Sequence, residues 1–294
     1  MVMIMKTIDD VYAIRRNKYH IENLSNTQTF VPFVGAGMSS DIYPLWRDLF
    51  EQFNLLPNER IILNQYLSVG RFEEAASYIY SISKGLFIDT VKDIFSPSRL
   101  IGKNFSPALK ILPQITDDMI ITTNIDEVIE TVWKNSGCVF DSIITPDFED
   151  QFNRAITNKD KILIKLHGTV NESSKYVLTK EQYDKCYGVN SNDTIDFTKP
   201  FPRDLGRAMQ SKTILFLGCS LKNDRVLHIL KQIAGWNEYI KHYALLSLSD
   251  NDDENTLRER ELEKYGIFPI WFPKEDYSYI AIILEELSHL KKNK

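Results

Sequence analysis

Gly35-Ala36-Gly37, with Ser39 two residues on, closes the apolar run Phe30-Val31-Pro32-Phe33-Val34. A strand that ends abruptly in glycines ahead of a helix start can bind a pyrophosphate. Glycine lets the backbone approach the ligand, and amides at a helix N-terminus favour anions. Three other apolar runs end the same way: Met119–Thr122 leads into Thr123-Asn124-Ile125-Asp126, Ile162–Leu166 into His167-Gly168, and Thr213–Leu217 into Gly218-Cys219-Ser220. Asn124 can orient a water or a ribose hydroxyl, or cap the helix that follows. His167 can stand as a satisfied structural residue. With an ordinary imidazole pKa of about 6.5, it can equally act as a general base near neutral pH. Ser220 can hold a phosphate or ribose or cap the next helix. Asp126 can hold an amide or ribose, or cap the segment from Glu127. Asp224 reads as a helix-start carboxylate.

Ligands of an open parallel sheet bind beyond the carboxyl ends of its strands, so these four endings must be brought to one edge. Further apolar runs at His242–Leu248 and Ile267–Phe272, and a short one at Tyr176–Thr179, read as strands. Helical periodicity marks Thr7–Gln28, Glu127–Asn135, Lys180–Tyr187, Asp224–Gly235, Asp252–Tyr265 and Tyr277–Leu290, and Gly188–Pro200 reads as a loop. Strands separated by helices predict an α/β fold. The expected architecture is a Rossmann-like parallel sheet of about six strands with helices on both faces. Residues 1–294 are read as one domain, with a helical subdomain inserted at about 45–113. A dinucleotide-dependent dehydrogenase would place its second strand within about 30 residues and a third glycine where Ser40 stands, which argues against hydride transfer.

The formal net charge of −5 offers no basic footprint for nucleic acid. Cys138, Cys186 and Cys219 are widely spaced, which excludes a four-cysteine zinc site within the chain and suits reduced thiols in a cytoplasm. No apolar run approaches the roughly 20 residues of a membrane span, and the first residues lack a signal-peptide layout.

Taken together and in order, GAGMS (Gly35–Ser39), TTNID (Thr122–Asp126), HG (His167-Gly168) and GCS (Gly218–Ser220) resemble the sirtuin-like NAD-binding domain, from about Phe30 to Tyr279. The segment Glu263–Phe272 is similar to that family's closing helix and strand. The resemblance implies NAD+ as substrate. It puts Gly35, Ala36, Gly37 and Ser39 at the pyrophosphate, Gly218 and Ser220 at the adenosine half, and Thr122 among the cofactor-binding residues. Asp126 falls at the nicotinamide amide, and Asn124 and His167 form the catalytic pair. Deacetylating sirtuins carry a zinc ribbon of four cysteines after the catalytic histidine, which three cysteines cannot build. Their Pro-Asp-Phe-Arg segment stands here as Pro44-Leu45-Trp46-Arg47, and Thr123 replaces a glutamine. These departures resemble the bacterial sirtuin-like effectors of antiphage defence, which hydrolyse NAD. That implies a cytoplasmic NADase of abortive infection with no metal, controlled by homo-oligomerisation or by a separate sensor or activator protein. The rival readings are an NAD-dependent deacylase or ADP-ribosyltransferase, and a non-catalytic sensor of NAD or ADP-ribose.

Overall fold

Among the described residues, seven strands form one parallel sheet: β1 (Phe30–Val34), β2 (Met119–Thr122), β3 (Ser142–Ile144), β4 (Ile162–Lys165), β5 (Thr213–Leu217), β6 (His242–Ser247) and β7 (Ile267–Phe272), in the order β3-β4-β2-β1-β5-β6-β7. The computed structural model describes residues 6–27, 29–116, 118–146, 151–189, 194–222, 225–233 and 240–292. The helices are α1 (Ile8–Tyr12), α2 (Asn17–Asn26), α3 (Trp46–Glu51), α4 (Pro57–Ser68), α5 (Phe72–Ile82), α6 (Lys84–Ile94), α7 (Pro107–Ile115), α8 (Val128–Asn135), α9 (Gln151–Asn158), α10 (Lys180–Tyr187), α11 (Pro200–Ser211), α12 (Arg225–Ile233), α13 (Asp252–Glu263) and α14 (Ser278–Lys292).

The strands are continuous apolar runs because both faces of the sheet are covered. Along β1, Phe30 and Val34 join one apolar layer while Val31 and Phe33 join the other; along β5, Leu215 and Leu217 oppose Ile214 and Phe216. Helices α1, α2, α7, α8 and α14 cover the first face, and α9 to α13 the second. The ladder from β1 to β2 begins only at Phe33, after Pro32, which has no N–H to give. Strand order reverses at β1, with β2 on one side and β5 on the other, which makes the crevice between their loops the expected ligand position.

A third apolar cluster, built from α3 to α6, stands over the carboxyl ends of the strands. Phe50, Phe53 and Phe87 are buried in it, each contributing roughly 2 kcal/mol. Ile125, Tyr176 and Leu178 reach into it from the sheet side. This explains one difference from the sequence reading. Tyr176–Thr179 is not a strand: Val177 enters the second layer of the sheet while Tyr176 and Leu178 enter the third cluster, so the alternation reflects two flanking apolar bodies instead of a ladder.

Other expectations shift as well. The sheet has seven strands because β3, three residues with only Ile144 buried, pairs at the edge with β4. Helix α11 starts at Pro200, with Pro202 also in the first turn where proline is tolerated, and despite Gly206 in its interior it holds because Phe201, Leu205, Ala208 and Met209 bury one face. Helix α9 was likewise not apparent in the sequence. The single helix expected over Thr7–Gln28 is two, broken where Arg15 takes a left-handed φ of 43°. That turn sends the Arg15 guanidinium to Glu259 of α13 at 2.7 Å. Gln28, Asp224, the end of the helix expected at Asp224–Gly235 and part of the loop expected at Gly188–Pro200 lie outside the described residues.

Candidate active site

The loops after β1, β2, β4 and β5 meet at the switch point, beneath α3 to α5. Between them lies a cavity of about 1160 Å³, large enough for a dinucleotide-sized ligand. Of the residues singled out by sequence, Ala36, Ser39, Asn124, Asp126, His167 and Ser220 line it. Gly35, Gly37, Thr122 and Gly218 stand behind this wall.

The glycines act on one another. The Gly35 amide donates to the Leu217 carbonyl at 2.8 Å and the Gly37 amide to the Gly218 carbonyl at 2.9 Å. A Cβ on Gly37 would lie 2.8 Å from the Gly218 oxygen. The two loops are stacked backbone on backbone, so these glycines let the loops pack and leave Ala36 and Ser39 to face the cavity. Gly218 has a φ of +65°, and a Cβ there would fall 2.5 Å from the Met38 nitrogen. Gly218→Ala is expected to cost at least about 2 kcal/mol in urea unfolding, from strain and collision together.

Thr122 ties β2 to β1: its hydroxyl donates to the Val34 carbonyl at 2.7 Å and accepts from the Asn124 amide at 3.0 Å. This fixes the start of the loop that presents Asn124. The Asn124 amide group donates to the Gly35 carbonyl and to Ser39 Oγ, each at 3.2 Å, linking the β2 loop to the glycine loop. Asp126 is buried, and its Oδ1 accepts the Val128 amide at 2.9 Å. It therefore caps α8 and faces the cavity at once. Burial pushes its carboxyl up to about 6, against the pull of Lys165, the Val128 amide and the Ser39 hydroxyl.

His167 is buried between two tyrosines of α10. Its Nε2 lies 3.1 Å from the Tyr187 hydroxyl and its Nδ1 3.3 Å from that of Tyr183, whose ring meets the imidazole edge-on at 4.8 Å. The expectation of an ordinary imidazole pKa does not hold. Burial lowers it to about 3, with only the Thr123 carbonyl favouring the charged form. His167 is a neutral imidazole across the physiological range, and a water or ribose hydroxyl reaches one of its ring nitrogens by displacing a tyrosine hydroxyl.

Several residues of this neighbourhood escaped the sequence reading. Tyr183 and Tyr187 stand one turn apart on α10, a spacing that marks one helix face. Arg225 lines the cavity and binds Glu73 of α5 at 2.5 Å and Asp184 of α10 at 2.9 Å, clasping the overlying helices to the sheet side. Nothing in sequence joins Glu73 to Arg225. Lys165 carried a signal that could have been read: a lysine inside the apolar run Ile162–Leu166 has to be buried with a partner.

A family profile described as a SIR2-like domain matches residues 118–270, a little over half of the chain. The chain belongs to the SIR2-like domain family. The matched span of this SIR2-like chain carries Asn124, Asp126, His167, Gly218 and Ser220, while the glycine loop after β1 precedes it. Among similar proteins, one named NAD(+) hydrolase ThsA from Bacillus cereus (strain MSX-D12) is 25% identical over 281 residues, covering 89% of this chain and 54% of the relative. Another of that name, from Acinetobacter baumannii (strain 532279), is 24% identical over 206 residues, 69% of this chain and 39% of the relative. The chain thus spans about half the length, or less, of these curated relatives. A solved structure titled as a Sir2 homolog–NAD complex aligns over 95% of both chains with 13% identity and a TM-score of 0.48.

Proposed function

We propose that this SIR2-like domain is an NAD+ hydrolase that cleaves the nicotinamide–ribose bond, using water to yield nicotinamide, ADP-ribose and a proton. The observation that carries the reading is the meeting of Ala36, Ser39, Asn124, Asp126 and His167 around one cavity at the switch point of the sheet. The names of the similar proteins support it.

The nicotinamide of NAD+ is cationic and leaves readily through an oxocarbenium-like transition state. The protein has to hold the ribose, exclude other acceptors and present water. Ala36 and Ser39, on the loop framed by Gly35, Gly37 and Thr122, take the pyrophosphate side; Ser220, set by Gly218, takes the adenosine side. The Asp126 carboxyl accepts the amide N–H of nicotinamide, most strongly when it is ionised. Asn124 and His167 orient the water and a ribose hydroxyl. Positioning by neutral groups suffices because the leaving group needs no proton.

NAD+ loss is lethal to a cell, so the resting chain is held inactive and serves as an NAD-depleting effector of antiphage defence. Homo-oligomerisation or a separate sensor or activator protein releases it. The reading places it in the cytoplasm; among the described residues no helix is long and apolar enough to cross a membrane. The test is NAD+ consumption by the purified chain, with nicotinamide and ADP-ribose quantified in separated monomer and oligomer fractions. Stoichiometric release of both products supports the hydrolase. Transfer of ADP-ribose to protein, or binding without cleavage in every fraction and with lysate of phage-challenged cells, overturns it.

A further inference from the structure

Lys165 is fully buried in β4, two residues before His167. Its neighbours in the strand are Ile162, Leu163 and Ile164, and an apolar residue at this position would spare the chain the desolvation of an ammonium, which costs several kcal/mol. What the ammonium holds explains its presence. Its Nζ donates to the main-chain carbonyl of Asp126 and to Glu130 Oε1 of α8, the latter at 2.6 Å. One cation therefore joins β4, which leads to His167, with the loop that presents Asn124 and Asp126.

We propose that Lys165 is a positioning residue of this site: its ammonium anchors the Asn124–Asp126 loop through the Asp126 carbonyl and, opposed by Glu130, sets the charge of the Asp126 carboxylate facing the substrate. The charged and polar groups around that carboxylate come from each neighbouring element. Lys165 of β4 stabilises its anion, Glu130 of α8 opposes it, and the Ser39 hydroxyl and the Val128 amide favour it. The Tyr43 phenol also senses the Asp126 charge. Burial raises the carboxyl, and Lys165 opposes that rise and favours the ionised, stronger acceptor. Its kinetic consequence rests on the NAD+ hydrolase reading; its electrostatic content concerns the chain without ligand.

The experiment titrates Asp126 in the ligand-free chain by the carbon-13 shift of its carboxyl after selective aspartate labelling, with Asp126→Asn assigning the signal. The wild-type midpoint is expected at about 6. Lys165→Met should raise it by about one to two pH units, the usual effect of an opposite charge at this range, and Glu130→Gln should lower it. The acid limb of NAD+ cleavage moves with the midpoint in each variant, whereas a merely structural lysine would scale the rate at every pH and leave the limb in place. Shifts of opposite sign in the two variants support the proposal. An unmoved midpoint, or shifts of the same sign, overturns it. If Lys165→Met does not fold, the sign of the Glu130→Gln shift decides. If no chain cleaves NAD+ at any pH, the hydrolase reading fails while the carboxyl titration still tests the role of Lys165.

Discussion

His167→Ala is expected to lower NAD+ cleavage by about 10²-fold or more, and Asn124→Ala by a similar factor, with NAD+ binding weakened far less. In the proposed mechanism the two residues serve the same step from different loops. Asn124 also bridges Gly35 and Ser39, so its removal loosens the glycine loop at a cost of roughly 1–2 kcal/mol in stability. Removing His167 deprives the Tyr183 and Tyr187 hydroxyls of a partner, but the position borders the cavity and water can replace the imidazole. Binding calorimetry and thermal unfolding, run beside the rate, separate loss of chemistry from loss of fold. The pH profile carries a second expectation. A histidine held neutral down to about pH 3 gives no step near its ordinary pKa, so the acid limb belongs to Asp126, at about 6. Near-normal turnover in His167→Ala would remove it from the mechanism, and a wild-type limb that vanishes in that variant would restore it as a base.

The second large effect is on stability in mild acid. His20, His167 and His242 are all buried, and burial lowers their pKa to about 4, 3 and 4 from an ordinary 6.5. In the unfolded chain each takes a proton as pH falls through 6.5; in the folded chain none does until far lower. The unfolded state therefore binds more protons, and stability falls with pH over that window. Each histidine costs the folded chain between about 1 and 2 kcal/mol over the interval from pH 6.5 to 5. Asp126 has the opposite sign. Its folded pKa of about 6 lies above the ordinary 3.8, so the folded chain gains protons first and recovers about 1 kcal/mol over the same interval. The net expected loss is roughly 4 kcal/mol, a large share of the 5–15 kcal/mol typical of a domain. Urea unfolding at several pH values measures it. His20 offers the control: its Nε2 is buried without a hydrogen-bond partner among the described residues, and its ring lies beside Tyr243 and Phe268. His20→Phe should flatten the pH slope by about two fifths, and an unchanged slope would refute the assignment to buried histidines.

The central strands and the four loops were legible in the sequence because local features encode them. A run such as Phe30–Val34 buried on both faces, ending in glycine, has few other uses. Residues whose meaning depends on tertiary neighbours were not legible. Tyr176–Thr179 mimics a strand because it is wedged between two apolar bodies, and α11 holds through its buried face despite Gly206 in its interior. Asn124 and His167 were singled out by type and placement, and both line the cavity, but the state of His167 was misjudged, since its protonation is decided by the burial that Tyr183 and Tyr187 impose. Gly35 and Gly37 were identified as loop-formers for a ligand, whereas each meets the Gly218 loop first. Arg225 depends on Glu73, far away in the chain, and so left no trace.

The placement of α3 to α6 has an engineering consequence. The groups that would perform bond cleavage all sit on loops of the sheet, while Trp46, Leu49 and Phe72 supply the opposite, apolar wall. Under the proposed function, reactivity would come from the sheet loops, while the helical layer, which also brings Arg71, Glu73 and Glu74 to the cavity, would shape which ligands enter. Exchanging that helical layer, or repainting its inner surface, offers a route to retuning which ligands are admitted while the reacting constellation stays in place, provided the Glu73–Arg225 fastening is kept.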